Sequence, residues 1–333
     1  MDPTSSSQTK TNGVSRIVSK LESSIANGNY YEAHQLYKTL SHRLTSKQKH
    51  GEAINYLYTG ACMLLRNKQI ESGADLAMTL LDVLNKLDSD SKLQYISKLS
   101  SIHALIPPDA VERRQFVSKS IKCTKTATCT AGSPEFHKAL AITLWQEKSL
   151  HAAQYHFLYA TDGENFGKFL ADFHCNHGGY PYEVDLFIAQ IVLQLLCLKN
   201  WTTANVTFCT YVNSHPDVQK EDTLFYPPLL NFLHFLLQAV KDGMSLQVFA
   251  ILCEKYQVSL SRDPIYKTYL DKIGQNFFGV PAPAGSGGLL GGLLGSLFSG
   301  ASEEDVETHT MGPTSSQPRQ PQSPRTFETS DLD

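Results

Sequence analysis

Apolar positions recur at three- and four-residue steps through nearly all of residues 14–278. Tyr30, Ala33, Leu36, Tyr37, Leu40 and Leu44 form one stripe. Ala53, Ile54, Leu57, Ala61, Leu64 and Leu65 form a second, and Ala74, Ala77, Met78, Leu81 and Leu84 a third. This is the period of amphipathic helices. Polar breaks separate the stripes: Asn27-Gly28-Asn29, Lys47-Gln48-Lys49 and Asn67-Lys68-Gln69. Ser133-Pro134-Glu135 reads as a helix start, with Ser as cap and Pro at the first helical position. Pro107-Pro108, Pro181, Pro216, Pro227-Pro228 and Pro264 punctuate the rest. Few segments alternate with period two, so almost no sheet is expected. A short hairpin near residues 215–226 stays open.

The segments are similar in length and joined by short loops. Small residues recur in similar contexts at Ala33, Ala53 and Ala74, steps of 20 and 21. Two such helices make a unit of about 41 residues, within the range of helical-hairpin repeats. The expected architecture is all-α: an α-solenoid of about fourteen antiparallel helices in TPR-like hairpins, each touching mainly its neighbours. A compact helical bundle is the alternative.

Composition divides the chain further. Residues 1–12 are Ser/Thr/Asn-rich and expected to be disordered. Residues 13–150 and 151–280 read as two halves of the solenoid. At 281–333 the composition changes to a Gly/Leu-rich linker and an acidic tail, with little folded structure expected beyond one short apolar element. The 333-residue chain has a net charge of −3. That tail holds two basic residues (Arg319, Arg325) against seven acidic ones, which leaves the body slightly basic. No global basic field favours nucleic acid. The longest apolar runs fall short of the roughly 20 residues that cross a bilayer. The N-terminus lacks a basic region followed by an apolar one, and seven cysteines lie mostly in apolar runs. Both features fit reduced thiols in the cytosol.

Signals for chemistry are sparse. The sequence holds no phosphate loop, no dinucleotide fingerprint and no nucleophile elbow. His174-Cys175-Asn176-His177 packs three metal-ligand types into four residues, but no second ligand pair accompanies it. A polar loop between helices explains it as simply, and no cofactor is implied. The reading is non-enzymatic. A metal-dependent enzyme built on this cluster is the rival.

The informative feature lies on one helix face. Between residues 73 and 87, apolar residues cover most of the helix circumference and leave one narrow polar stripe: Asp75, Thr79, Asp82 and Lys86. Asp75 and Asp82 are two turns apart and point the same way. Arg43, Lys47 and Lys49 lie upstream, and Tyr30 and Tyr31 add aromatics. A solvated edge with an Asp82–Lys86 pair accounts for the pattern. A charged docking face that orients a macromolecular partner accounts for it equally.

At this stretch the sequence resembles a known family. Asn29-Tyr30-Tyr31-Glu32-Ala33-His34-Gln35 and Ser72-Gly73-Ala74-Asp75-Leu76 are similar to the Golgi-to-ER traffic protein 4 family. So are Glu183-Val184-Asp185-Leu186-Phe187-Ile188-Ala189-Gln190, Arg262-Asp263-Pro264-Ile265-Tyr266 and Ile273-Gly274-Gln275-Asn276-Phe277-Phe278-Gly279-Val280-Pro281. The resemblance covers roughly residues 14–300. It implies an α-solenoid adaptor in the cytosol, acting in the delivery of tail-anchored membrane proteins to the ER. The N-terminal half would dock the tail-anchored protein targeting ATPase in its nucleotide-bound form. The C-terminal half would hold a scaffold. In animal members that scaffold resembles a large proline-rich BAG-family protein with a ubiquitin-like domain, held through its basic nuclear-localisation segment and so retained in the cytosol. A small ubiquitin-like protein, the scaffold of fungal members, enters as a further partner.

Carried over residue by residue, the resemblance places Asp75 and Asp82 in the ATPase contact, with Tyr30 beside them. A basic family position in the first loop is Ser46 here, so Arg43 or Lys47 has to supply that charge. For the scaffold, Glu183 and Asp185 with Glu221 and Asp222 are expected to form an acidic surface for a basic peptide. Helix-start carboxylates that interact with the helix dipole are the alternative for these four. A generic helical-repeat adaptor of another trafficking or proteasome-lid assembly is the runner-up function.

Overall fold

Sixteen α-helices and one two-stranded ribbon make up the described residues. The computed structural model describes residues 5–281 apart from 219, 222 and 223, with side chains over 14–218 and 224–281. The expectations for residues 282–333, the Gly/Leu-rich element and acidic tail included, lie outside the described residues. The chain opens with α1 (Ser5–Ala26), α2 (Tyr30–Ser46), α3 (His50–Arg66) and α4 (Ile70–Leu84). Then come α5 (Ser89–Leu93), α6 (Ile96–Leu105), α7 (Val111–Cys123) and α8 (Pro134–Gln146). Next are α9 (Leu150–Tyr159), α10 (Gly163–Asn176), a 3-10 turn (Pro181–Glu183), α11 (Val184–Cys197) and α12 (Trp201–Ser214). The ribbon follows, with β1 (Lys220–Glu221) antiparallel to β2 (Leu224–Phe225) and Glu221 opposite Leu224. The chain continues through α13 (Pro228–Lys241), α14 (Leu246–Lys255), α15 (Gln257–Leu260) and α16 (Ile265–Phe277).

The fourteen helices expected become sixteen because α5 and α15 have only five and four residues. Segments that short cannot display a hydrophobic period. The ribbon lies in the one stretch where the sequence left a hairpin open. α1 begins at Ser5, inside the stretch that composition marks as unstructured. The Ser133 hydroxyl accepts from the Phe136 amide, and Pro134 takes the first helical position, as the local sequence demands.

The solenoid character lies in which helices touch. α2 packs on α3 and α4, α3 on α4, and α10 on α11 and α12. Ala33, Ala53 and Ala74 are all buried at these contacts. Gly167 marks a close approach of two helices: a Cβ there would meet the Thr207 carbonyl oxygen at 2.8 Å and Thr210 Cβ at 2.6 Å, so α10 and α12 leave no room for a side chain. The C-terminal α16 returns to pack on α11.

Five inter-helix loops share one shape, which makes the repeat visible in the backbone. Gly28, Gln48, Lys68, Lys148 and Lys199 sit at their centres with φ between 60° and 70°. In each, the amide three residues past the helix end reaches back five residues: Asn29 to Ser24, Lys49 to Leu44, Gln69 to Leu64, Ser149 to Leu144 and Asn200 to Leu195, at 2.8–3.0 Å. This closure satisfies carbonyls that the helix end would otherwise leave unpaired. The next helix starts at once, giving three-residue turns between antiparallel neighbours.

The interior divides into two apolar clusters. One runs from Ile17 to Leu140 and the other from Ala141 to Val280, so the seam falls inside α8. Leu144 of α8 packs against both.

Candidate functional site

The N-terminal face is built by α2 and α4, which run parallel as next-but-one neighbours. Along α4 the burial follows the sequence pattern: Ala74, Leu76, Ala77, Leu80, Leu81, Val83 and Leu84 are buried, while Asp82 and Lys86 are exposed and Asp75 and Thr79 half-buried. Asp75 is not a free charge. His34 Nε2 donates to its Oδ2 at 2.8 Å, and Lys38 Nζ donates to the same oxygen at 2.9 Å. His34 and Lys38 are one turn apart on α2, so both reach the same carboxylate. Partial burial pushes the Asp75 carboxyl up, but the hydrogen bonds from Lys38 and His34 outweigh it and hold the group below its ordinary range.

Asp82 differs. It is exposed, and among the described residues it forms no ion pair; the expected Asp82–Lys86 pair is not made. Asp82 lies seven residues from Asp75, about 10 Å along the axis. That brings it level with the last turns of α2, where Arg43 and Lys47 are exposed and likewise without an ion partner among the described residues. Lys86, His42, Thr45, Ser46, Gln48 and His50 line a polar depression of about 450 Å³ at the same end. Tyr30 sits at the opposite end of α2, half-buried, and donates its hydroxyl hydrogen to Asn67 Oδ1 at 2.9 Å. Tyr31 beside it is 77% exposed. The structure therefore places Asp82, Lys86 and the polar depression at one end, and Tyr30 with the clamped Asp75 towards the other; Arg43 and Lys47 share the first end in height but, nine residues on from His34 and Lys38, lie on the opposite side of α2 from the Asp75 contact.

The C-terminal acidic residues do not form one patch. Asp185 is 3% exposed, and its Oδ2 accepts from Arg262, which also donates to the Tyr182 carbonyl oxygen at 3.1 Å. This corrects the expectation of a surface carboxylate at Asp185. The reason lies in helix phase: Asp185 shares its face with Ile188, Ala189 and Val192, which are all buried. Asp185 holds the segment before α16 against the start of α11. Glu183 is half-buried at the N-cap of α11, without a side-chain capping bond. Glu221 lies in β1, where only its backbone is described, and Asp222 lies outside the described residues. Sequence reasoning missed Tyr180 and Tyr182, which stack at 5.5 Å between ring centroids and are 58% and 69% exposed beside Glu183. Two tyrosines flanking Pro181 in a polar loop were the available signal.

The fold brings His215 to the histidine-rich loop. His174, Cys175 and His215 place their ligand atoms within 4.8 Å of one another. Their hydrogen bonds are those of a neutral imidazole pair. The Asp217 amide donates to His215 Nδ1 at 3.1 Å, so the proton of His215 sits on Nε2. That proton is donated to His174 Nδ1 at 2.8 Å, and His174 Nε2 donates to the Tyr180 carbonyl at 2.9 Å. The lone pairs that a metal would need are already engaged, and His177 sits 4.0 Å from Asp172, away from this pair. The residues do not fit a metal centre.

Comparison with known proteins agrees with this architecture. A family model described as Golgi to ER traffic protein 4 matches residues 47–298. A Golgi to ER traffic protein 4 homolog of Oryzias latipes is 46% identical over 295 residues, 88% of this chain and 90% of that protein. The homolog of Homo sapiens is 45% identical over 297 residues, 89% and 90% of the two chains. The crystal structure of C. therm. Get4 superposes with a TM-score of 0.71 at 27% identity, covering 89% of this chain and all of the other. The paired helices, the tight left-handed loops and matches that span nearly the whole solenoid agree: the chain belongs to the Golgi to ER traffic protein 4 family.

Proposed function

We propose that this chain is a non-enzymatic cytosolic adaptor that bridges two partners in the delivery of tail-anchored membrane proteins to the ER. The α2–α4 face docks the nucleotide-bound targeting ATPase. The C-terminal half holds a large proline-rich BAG-family scaffold with a ubiquitin-like domain, keeping it in the cytosol. Family membership supports the pathway, and the face itself supports the mode of contact. The observation that carries the reading is the exposed pair of opposite charges Asp82 and Lys86, one turn apart at the end of α4 and without an ion partner among the described residues, beside the polar depression at the end of α2. Charges of both signs at fixed spacing orient an incoming surface and raise its encounter rate. Asp75, already held by His34 and Lys38, sets the relative position of α2 and α4 and offers its remaining oxygen to the partner.

On the other half, Glu183 beside the stacked rings of Tyr180 and Tyr182 suits a Lys/Arg-rich segment. A carboxylate supplies the charge, and the ring faces receive the cations. Glu221 of the ribbon and the neighbouring residue Asp222 are the further acidic contacts, and Arg262–Asp185 positions the loop.

The test is affinity of the full chain for the nucleotide-bound ATPase. Asp82→Lys lowers it by roughly tenfold or more and leaves helical circular dichroism and scaffold binding intact. Glu183→Lys weakens scaffold binding alone. Unchanged ATPase affinity in both Asp82→Lys and Asp75→Lys refutes the docking face. A quantitative pull-down that recovers neither partner replaces this reading with a generic adaptor.

A further inference from the structure

An apolar groove lies between α13 and α14. Phe235 and Ala239 form one wall, and Val248, Ile251, Leu252 and Tyr256 the other, with Met244 at the connecting turn. Its volume is about 630 Å³. Phe235, Val248 and Ile251 are 40%, 40% and 55% exposed. The wall residues recur at i, i+3 and i+4 on each helix, so this is an ordered ridge-and-groove surface of the kind that accepts a third helix. The charged group lining it is Lys255.

The same chain carries a segment of matching pattern just beyond the described residues. Leu289-Leu290, Leu293-Leu294 and Leu297-Phe298 are apolar pairs at four-residue steps. In helical register they occupy one half of the circumference, and Gly291, Gly292, Gly295 and Ser296 occupy the other. Ten helical residues are about 15 Å long, the length of the ten-residue α14. Three glycines disfavour such a helix in isolation, so it needs a surface to form on. The family match includes this strip and stops at its last residue, Phe298.

Connectivity favours this occupant. The described chain ends beside α14: the Phe278 ring stacks on Phe249 of α14 at 4.4 Å, and Val280 is buried. Eight residue steps from Pro281 to Leu289 reach about 26 Å, and a helix is about 10 Å across. The linker can therefore carry the strip around α14. Tethering at that distance gives a millimolar effective concentration, against which a free competitor must work. Glu303, Glu304, Asp305 and Glu307 follow the strip closely, opposite in sign to Lys255.

We propose that residues 289–298 of this chain dock as a short helix in the groove between α13 and α14. The experiment is hydrogen–deuterium exchange of the full chain, compared with full-length Leu293→Asp/Leu294→Asp and with Ile251→Asp. Ile251 is more than half exposed, so its replacement leaves the fold standing. Both variants should accelerate exchange of the α14 amides roughly fivefold or more and leave α2–α4 unchanged. Chymotryptic cleavage at Phe298 should speed up in both. A synthetic 286–300 peptide should bind Leu293→Asp/Leu294→Asp saturably and fail to bind Ile251→Asp. Identical α14 exchange in the parent and the Leu293→Asp/Leu294→Asp variant overturns the proposal. Protection that disappears on dilution also overturns it and assigns the groove to a second copy.

Discussion

His34 donates to Asp75 across 41 residues of sequence, at 2.8 Å, and so ties α2 to α4 over the helix between them. Asp75 is 45% exposed, and solvent screens the link. Its carboxyl pKa is lowered in the fold. The linked stability is therefore present above the unfolded value near 4 and is lost as pH falls through the folded value. Asp75→Asn should lower stability by no more than about 1 kcal/mol at pH 7. Urea titrations of parent and variant should converge as pH falls below the folded value; a gap that stays constant on acidification contradicts the account.

Arg262 and Asp185 should behave differently, because the carboxylate is buried. Arg262→Ala leaves it unpaired and should cost about 3 kcal/mol. Asp185→Asn with Arg262→Gln should recover much of that loss, since no buried charge remains. Denaturation midpoints read both. Equal losses in the single and the double variant would mean that packing, not charge, sets the cost.

Acid sensitivity at milder pH comes from buried histidines. Burial, with the charge of Arg113 adding to it, lowers His103 to about 3, and burial beside His137 lowers His156 to about 4. Both must be neutral in the fold. Their neutral-state stability is complete above the unfolded value near 6.5 and declines as pH falls towards the folded values, by up to about 1.4 kcal/mol per unit for each group. His103 Nε2 accepts from Arg113 Nε at 3.1 Å, and a Gln oxygen can take that place. The drop in stability between pH 7 and pH 5 should be shallower in His103→Gln than in the parent; equal slopes count against the assignment.

The left-handed loop centres invite stabilisation. Lys68 and Lys199 adopt φ of 60°, which costs a residue with a Cβ. Lys68→Gly and Lys199→Gly should each raise stability by about 0.5–1 kcal/mol. Calorimetry of the two variants and their combination checks this, and a lowered Tm would refute it.

Helix period reads directly into burial on α4, because each position depends only on its neighbours within two turns. The same rule, applied to Asp185 with Ile188, Ala189 and Val192, would have placed that carboxylate inside. Its clustering with Glu183 drew attention to charge in place of phase. What local pattern cannot supply is the partner. Lys38 and His34 reach Asp75, and Arg262 reaches Asp185, from 37 to 77 residues away. The convergence of His215 on His174 likewise depends on how α10 and α12 lie together. α5 and α15 escape because a single turn has no period. Helical spacing alone supplied the acidic stripe, and the resemblance supplied the family. The stacked Tyr180 and Tyr182 emerge only once the loop has a shape.

The seam inside α8 makes that helix the shared wall of two apolar clusters. Leu140 faces one cluster and Ala141 the other, so a rupture that spreads along the chain from either side crosses from one apolar cluster to the next within this helix. Melting that begins at the N-terminal end therefore meets the boundary of the second apolar cluster inside α8 before it reaches the C-terminal helices.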